Sequence, residues 1–473
     1  MSKKEIFNHI FNTSISDKVD QIYIYDPYVC GAVARMCFRF FSGNDELQIK
    51  AFLVPEKPED SCFEGIPVIV CDTLDKTEIP VLIATFNKEW ISSIKSKLYE
   101  SFPNAELMEL ELKSGAYNLE QDEWKQFFEQ FDIYNRLMDE ESRMIFRYKS
   151  AYDTFGRDWR YIRELLRRTK AKDSYEDNTY INLLEFIKQS SEDENIRFVL
   201  AGEYSELIVE RISELGYPVE AYLGDGEDKR IPTIKKEDLF QDYLDHYILV
   251  KDFGGGLGTL EQLLNAQIPK ERLVLACNCG CGMEYEHPMY FDRIFEPSID
   301  GIFIDGGCFT GSTIDDFIKW NGNYKKVYSF EPEVAQYRKC KEKFVHDEKV
   351  EILNNAVWNK RESLHFVNSG AGSHVLDDST ICVEGISVDE VVGDEKVTFL
   401  KYDIEGSELK GLEGAKETIT RNEPDLAICV YHKHDDLYTI PNYILGLCPK
   451  YKIYLRHYQL SRYETVLLAT CKL

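Results

Sequence analysis

Ile302-Phe303-Ile304-Asp305-Gly306-Gly307-Cys308-Phe309-Thr310-Gly311-Ser312-Thr313 is the stretch on which the reading of this chain turns. Its apolar head has the length and composition of a strand, its middle is a glycine turn, and its polar end starts a helix. A glycine turn at a strand end lets backbone come close to a ligand, because no Cβ stands in the way. The following helix N-terminus offers N–H groups to an anion such as a carboxylate. The spacing Asp305-x-Gly307-x-x-x-Gly311 differs from the G-x-G-x-x-G of dinucleotide-binding turns. Alone, such a turn could simply connect two elements.

The stretches downstream extend the pattern. Lys326-Val327-Tyr328-Ser329-Phe330-Glu331-Pro332 is a second strand ending in an acid about twenty positions on, and a carboxylate there can accept both ribose hydroxyls of an adenosine. The run from Val350 to Val357 reads as a third strand, with Asn355 and Ala356 at its carboxyl end near the expected adenine. Val397 to Gly406 reads as a fourth, delivering Asp403 and Glu405 to the edge where open α/β sheets bind ligands. Asp425 to His434 is a fifth. Tyr451 to Tyr458 and Glu464 to Thr470 then form a closing antiparallel hairpin. Such strand ends suit S-adenosylmethionine, with Asp305, Gly306, Gly307, Gly311, Thr313, Glu331, Asn355, Ala356 and Asp403 as the residues expected to bind it.

From about residue 290 to 470 the chain resembles the FkbM family of methyltransferases. The matching blocks are FIDGGCFTGST (303–313), YSFEPE (328–333), NNAVWN (354–359), the Ser387 to Glu390 helix, KYDIEGSELKGLEGA (401–415), LAICVYHKHDDLYTIPNYI (426–444) and YLRHY (454–458). The resemblance implies a seven-stranded Rossmann-like methyltransferase sheet, S-adenosylmethionine as donor and, usually, O-methylation of a sugar or polyketide hydroxyl. By position Asp305, Gly307 and Gly311 match the first motif of the family, Glu331 the ribose carboxylate, and Asp403 with Glu405 the DIEG-type motif. A serine-rich stretch usual in the family is thinned here to Gly370-Ala371-Gly372-Ser373-His374, which leaves the contacts around Ser373 open.

An activated sulfonium needs mainly an oxygen held in line, and an alcohol gains from a base that removes its proton. His432, at the end of the fifth strand, is the first choice for that base; Glu405 is second and His434 third, with Asp403 beside them. No H-E-x-x-H or three-carboxylate spacing asks for a metal. The acceptor reads as a glycan or small molecule. N-methylation of a glycan-linked amine is a close alternative, and a bifunctional enzyme whose front half binds NAD or a sugar nucleotide is a more distant one.

The whole chain reads as α/β in four parts: a Rossmann-like module at 1–115, a helical connector at 116–190, a second module at 191–285 and the methyltransferase-like part at 286–473. Strands and helices of the first module recur in order in the second, with Ile231-Pro232-Thr233-Ile234 echoing Ile66-Pro67-Val68-Ile69. Both modules loosely resemble domains of sugar-nucleotide epimerases. Neither keeps a glycine-rich first turn: one has Asp26-Pro27-Tyr28-Val29-Cys30-Gly31, the other Ala201-Gly202-Glu203-Tyr204. They are therefore expected to bind the acceptor or to pair subunits in a homodimer, although the run from Gly254 to Gly258 could cradle a phosphate.

Composition narrows the partners. Fifty-six Lys and Arg against 83 Asp and Glu leave a formal charge of −27 on 473 residues, which repels nucleic acid and anionic membrane surfaces. The longest apolar runs are strand-length and cannot be inserted across a bilayer, and the N-terminus lacks the apolar core of a secretory signal. Thirteen cysteines without such a signal fit reduced thiols and a cytoplasmic location. The cluster Cys277, Cys279 and Cys281 lacks a second CxxC or a His pair at zinc spacing, so it reads as a Gly-containing interdomain loop.

Overall fold

The computed structural model describes the chain except for residues 29–30, 44–46, 59–61, 75–76, 113–116, 174–180, 191–194, 226–228, 252–257, 277–282, 285–287, 368–373, 376–380 and 473. Cys277, Cys279 and Cys281, the glycines 254 to 256 and Ser373 thus lie outside the described residues. The chain divides into two compact units, one of residues 1–136 with 146–164, the other of residues 137–145 with 165–473. Among the described residues no helix is long and apolar enough to cross a membrane.

The first unit is built on a sheet whose strands run in the order Ile66–Val70, Gln48–Val54, Gln21–Tyr25, Val81–Ile83, Leu107–Glu109, all parallel. A short Cys62–Phe63 strand pairs antiparallel on its edge. The strands are mostly apolar, as helices covering both faces of such a sheet require. The aromatic stripe of the connector joins this core: Phe127 stacks on Phe40 with ring centroids 4.7 Å apart. At the end of the first strand Asp26 is fully buried. Its carboxylate accepts the N–H groups of Tyr28 at 3.0 Å and Gly31 at 2.6 Å, and Gly31 caps the helix Ala32–Phe41. A carboxylate of the chain itself thus serves the helix end to which a bound phosphate would go.

The second unit holds two sheets of this kind. In the smaller, Thr233–Ile234, Val219–Leu223, Phe198–Gly202, Tyr247–Lys251 and Leu273–Leu275 are parallel in that order. Numbered by sequence, this is the same third-second-first-fourth-fifth order as in the first unit. Here the first strand ends beside Glu203, which pairs with Lys251 at 3.4 Å, and the Tyr222 hydroxyl donates to the Gly202 carbonyl at 2.8 Å.

The larger sheet consists of β1 (Gly301–Gly306), β2 (Tyr324–Phe330), β3 (Val350–Leu353), β4 (Phe399–Tyr402), β5 (Asp425–Cys429), β6 (Lys452–His457) and β7 (Thr465–Thr470). Their order is β3-β2-β1-β4-β5-β7-β6, with β1 to β5 parallel and β7 antiparallel to both neighbours. Every residue of β1, β5 and β7 is buried. The helix α1 (Ser312–Asn321) buries Ile314 and Phe317 against β1, stacking Phe317 on Phe303 at 4.4 Å. Burial of such side chains contributes about 2 kcal/mol each. The expected third strand is shorter than its sequence pattern. It stops at Leu353, and Ala356–Val357 instead pairs with Ile381–Ile386 in a separate four-stranded sheet inserted before β4. Asn354 and Asn355 make the break.

Residues 137–145, from the middle of the expected connector, dock on the edge strand β6. Leu137 bridges Ile453, and the Met138 N–H donates to the Ile453 carbonyl at 3.1 Å. The Leu455 N–H donates to the Ser142 hydroxyl at 2.8 Å. An otherwise open sheet edge is covered in this way. Arg456, 3% exposed, anchors the contact with Asp139 at 2.9 Å and Asp292 at 3.2 Å. Burial works against its charge, but the bond to Asp139 and the field of Asp292 hold it protonated. Arg456→Ala would strand two carboxylates, and is expected to cost about 3 kcal/mol or more in urea unfolding of the full chain. An Arg456→Ala protein within 1 kcal/mol of the parent, to a rough tolerance, would contradict this account.

Candidate active site

Strands β1 and β4 are neighbours, and their register sets Asp305 directly beside Lys401. Both are buried, with Lys401 Nζ 3.1 Å from Asp305 Oδ1. The same ammonium donates to the carbonyls of Gly306 at 3.1 Å and Gly307 at 2.8 Å, stapling the turn after β1 from beneath. Burial disfavours the Lys401 charge, yet Asp305 and Asp403 lift its pKa above the ordinary value. Burial also pushes the Asp305 carboxyl up, against the pull of Lys401.

The turn glycines have reasons that lie within the chain. Gly307 has φ +77°, and a Cβ there would lie 2.0 Å from the Asp403 carbonyl oxygen, so the loops after β1 and β4 touch backbone to backbone. Gly311, at φ +76°, would drive a Cβ into Phe344 and Cys340. It caps α1, and Thr313 stands in the first turn of that helix. Gly306 faces the Tyr402 ring, 2.6 Å from where its Cβ would be. Two non-glycine residues on these loops also hold left-handed backbone, Phe309 at φ 47° and Glu405 at φ 54°. Each such residue costs about 1 kcal/mol or more, a kind of strain that collects at functional loops.

Glu331, at the end of β2, closes over the first turn. Its Oε2 accepts the Phe309 N–H at 2.9 Å and its Oε1 the Glu333 N–H at 2.9 Å. Burial pushes its pKa up to about 7, although both N–H groups pull the other way. Asn354, rather than Asn355, ties this loop to β3, donating to the carbonyls of Glu331 at 2.9 Å and Pro332 at 3.1 Å. The Asn355 amide is engaged by Glu384, its Oε2 at 2.9 Å, and Ala356 is buried in the small inserted sheet.

The ends of β4 and β5 bring the remaining expected residues together. Asp403 accepts hydroxyls from Tyr431 at 3.0 Å and Tyr290 at 3.1 Å. His432 Nε2 lies 3.6 Å from Asp403 Oδ1 and 3.3 Å from Glu405 Oε2, while Nδ1 lies 2.9 Å from Glu408 Oε1. Glu408 opens α2 (Glu408–Glu413), is 1% exposed and also accepts the Ile404 N–H at 2.9 Å. Burial opposes a charge on the imidazole, but Glu408, Glu405 and Asp403 outweigh it and raise the His432 pKa to about 11. At neutral pH the ring is therefore a cation with no lone pair to take a proton. Asp403 is held below its ordinary value: burial works to raise it, and Lys401 with His432 overcome that. Nearby, burial raises Glu464 to about 8 and Asp436 to about 7. His434 follows two residues on, in the same turn.

Sequence reading missed Lys401, Glu408, Tyr290 and Tyr431. Lys401 left a signal, a lone cation inside the apolar run of a central strand, paired in register with the acid of the neighbouring strand. Glu408 and Tyr290 left none, since only folding carries them to β5.

Residues 305–449 match the family described as the Methyltransferase FkbM domain. No curated protein matches the chain. A methyltransferase FkbM structure from Methylobacillus flagellatus is 14% identical, covers 98% of this chain and 92% of that one, with a TM-score of 0.38. An rRNA methylase from Streptococcus thermophilus is 18% identical over 36% of this chain and 86% of its own, TM-score 0.26. Fibrillarin of Aeropyrum pernix, with natively bound S-adenosyl-L-methionine, is 13% identical over 37% and 67%, TM-score 0.24.

Gly307→Ala is expected to unfold at lower denaturant, by about 2 kcal/mol, from its positive φ and its clash with the Asp403 carbonyl. His432, raised from 6.5 to about 11 by folding, contributes stability that is whole below pH 6.5 and fades as pH climbs toward 11. The stability gap between the parent and His432→Gln should accordingly narrow from pH 6.5 to pH 10. A gap that held constant or widened would show that the carboxylates do not hold that proton.

Proposed function

From a C-terminal domain that matches the methyltransferase FkbM family over residues 305–449, we propose that this chain transfers the methyl group of S-adenosylmethionine to a sugar hydroxyl of a glycan or glycan precursor. The observation that carries the reading is the meeting of the β1, β2, β4 and β5 ends around the Gly307 turn, with Glu331 on one side and Asp403, Glu405 and His432 on the other. Glu331 would take the ribose hydroxyls, and the first turn of α1 the methionine carboxylate. The acid-rich β4–β5 edge suits a sulfonium cation.

In the transfer an acceptor oxygen attacks the methyl carbon, the carbon–sulfur pair stays on sulfur as a neutral thioether, and the hydroxyl proton leaves to a base. A charged His432 passes that role to Glu405, whose Oε2 lies 3.3 Å from the ring; the imidazolium then orients the carboxylate. An amine acceptor is the second reading, favoured by the same acidic edge, which attracts ammonium as well as sulfonium. For the front modules we favour acceptor binding or subunit pairing over a nucleotide site, since Asp26 already serves the helix end that a pyrophosphate would need. A cytoplasmic setting fits the cysteines.

Glu331→Ala should weaken S-adenosylmethionine binding about tenfold or more by calorimetry, from the loss of a charge-assisted pair of hydrogen bonds. Glu405→Gln should bind the donor normally yet slow labelled-methyl transfer to a sugar-containing extract by about 10²-fold or more. Unchanged donor affinity in the first would remove the ribose assignment, and unchanged turnover in the second would remove the base.

A further inference from the structure

We infer that Tyr28 and Trp90, two exposed aromatic side chains of the first unit, form a binding site for a neutral sugar ring. Their place in the fold is the first argument. The strand order of that unit reverses between Gln21–Tyr25 and Val81–Ile83, which are parallel neighbours. In open α/β sheets the crevice beyond the carboxyl ends of two such strands is where ligands bind. Tyr28 stands on the loop that leaves the first of these strands, and Trp90 in the first turn of the helix Lys88–Ser101 that follows the second. Their ring centroids are 5.4 Å apart, so the two segments meet ring to ring.

Both rings stay open to solvent, Tyr28 at 52% and Trp90 at 45% exposed, and no other ring contact among the described residues joins two exposed side chains. Large apolar rings left in water at a ligand-binding edge mark a contact surface. The backbone under each ring is held. Asp26 accepts the Tyr28 N–H, and a Cβ on Gly31 would lie only 3.1 Å from the Tyr28 Cβ, so the glycine makes room for that side chain. Asn87 caps the helix of Trp90 by accepting the Glu89 N–H at 3.1 Å, and its own N–H goes to the Thr85 hydroxyl at 3.2 Å. Rings fixed in this way lose little freedom when a ligand arrives.

Charge and size decide among occupants. A phosphate or nucleotide would need the N–H groups that open the helix Ala32–Phe41, but the Asp26 carboxylate already accepts the Gly31 N–H there and repels an anion. Two half-exposed rings offer about 200 Å², far below the roughly 1,000 Å² of a stable protein interface. A pyranose fits both limits. One of its faces is a set of C–H groups with slight positive charge, which pack on the negative faces of aromatic rings while the hydroxyls stay in water. The choice of a sugar as occupant rests on the glycan acceptor proposed above; the surface itself does not.

The test uses the full-length chain without methyl donor. Saturation-transfer NMR and titration are run with maltotetraose, cellotetraose and chitotetraose as neutral probes, and with UDP-glucose as a sugar ring carried on a diphosphate. At least one neutral probe is expected to bind at millimolar concentration, with saturation passing to its C–H protons, and to bind more tightly than UDP-glucose. Affinity should fall about tenfold in Trp90→Ala and severalfold in Tyr28→Ala, with circular dichroism unchanged. Trp90→Phe, which keeps an aromatic face, should recover part of the loss, and Tyr99→Ala, toward the other end of the same helix, should bind as the parent does. Failure of all the neutral probes to bind overturns the site, as does binding that both alanine variants retain. Uptake of UDP-glucose alone would make this a nucleotide site and overturn it equally. Glu331→Ala is expected to keep the sugar binding, so methyl transfer lost with sugar binding intact condemns only the catalytic reading, and the reverse result only this one.

Discussion

A buried ammonium beneath a glycine turn is the constraint on which the seven-stranded sheet and its loops depend. Lys401 reaches across from β4 to the acid and the carbonyls that end β1, so two neighbouring strands stop at one level. Removing such a cation would leave Asp305 charged in an apolar interior, which costs more than the pair itself ever contributes. With the staple in place, the Gly307 and Asp403 backbones touch, and this contact sets where the β4 loop turns toward β5. The glycines demanded by the sequence pattern are thus required first by the fold, before any ligand arrives.

Much of this was legible in the chain itself. The β1 run with its glycine turn, the acid at the end of β2 and the closing hairpin all fall where the sequence places them, because a doubly covered parallel sheet leaves continuous apolar runs with polar punctuation. The third strand was read too long, since Ala356 and Val357 carry strand-like residues that pair elsewhere. Beyond that strand end Asn354 ties the loop after β2 to β3 while the Asn355 amide goes to Glu384, a division between neighbouring residues that side-chain periodicity cannot resolve. His432 was legible as a member of the cluster but its charge was not: the carboxylate that fixes it, Glu408, sits on a helix whose approach only tertiary packing determines.

The repeated strand order of the two front sheets fits the recurrence seen in the sequence. Their first strand ends have diverged in different ways. One is closed by its own buried aspartate, the other by a tyrosine hydroxyl and an acid–lysine pair. Such self-satisfied ends need no ligand to fold, which frees their surfaces for other work.

The docking of residues 137–145 on β6 bears on how the chain is made. The Ser142 hydroxyl finds Asp139 three residues away, but the N–H it accepts comes from Leu455, 313 residues later. During synthesis nearly all of the protein leaves the ribosome before this strip can settle, while the flanking pieces of the first unit are already complete. Contacts of so long a loop form slowly. The nascent protein therefore carries this strip without its β6 contacts until the last strands emerge.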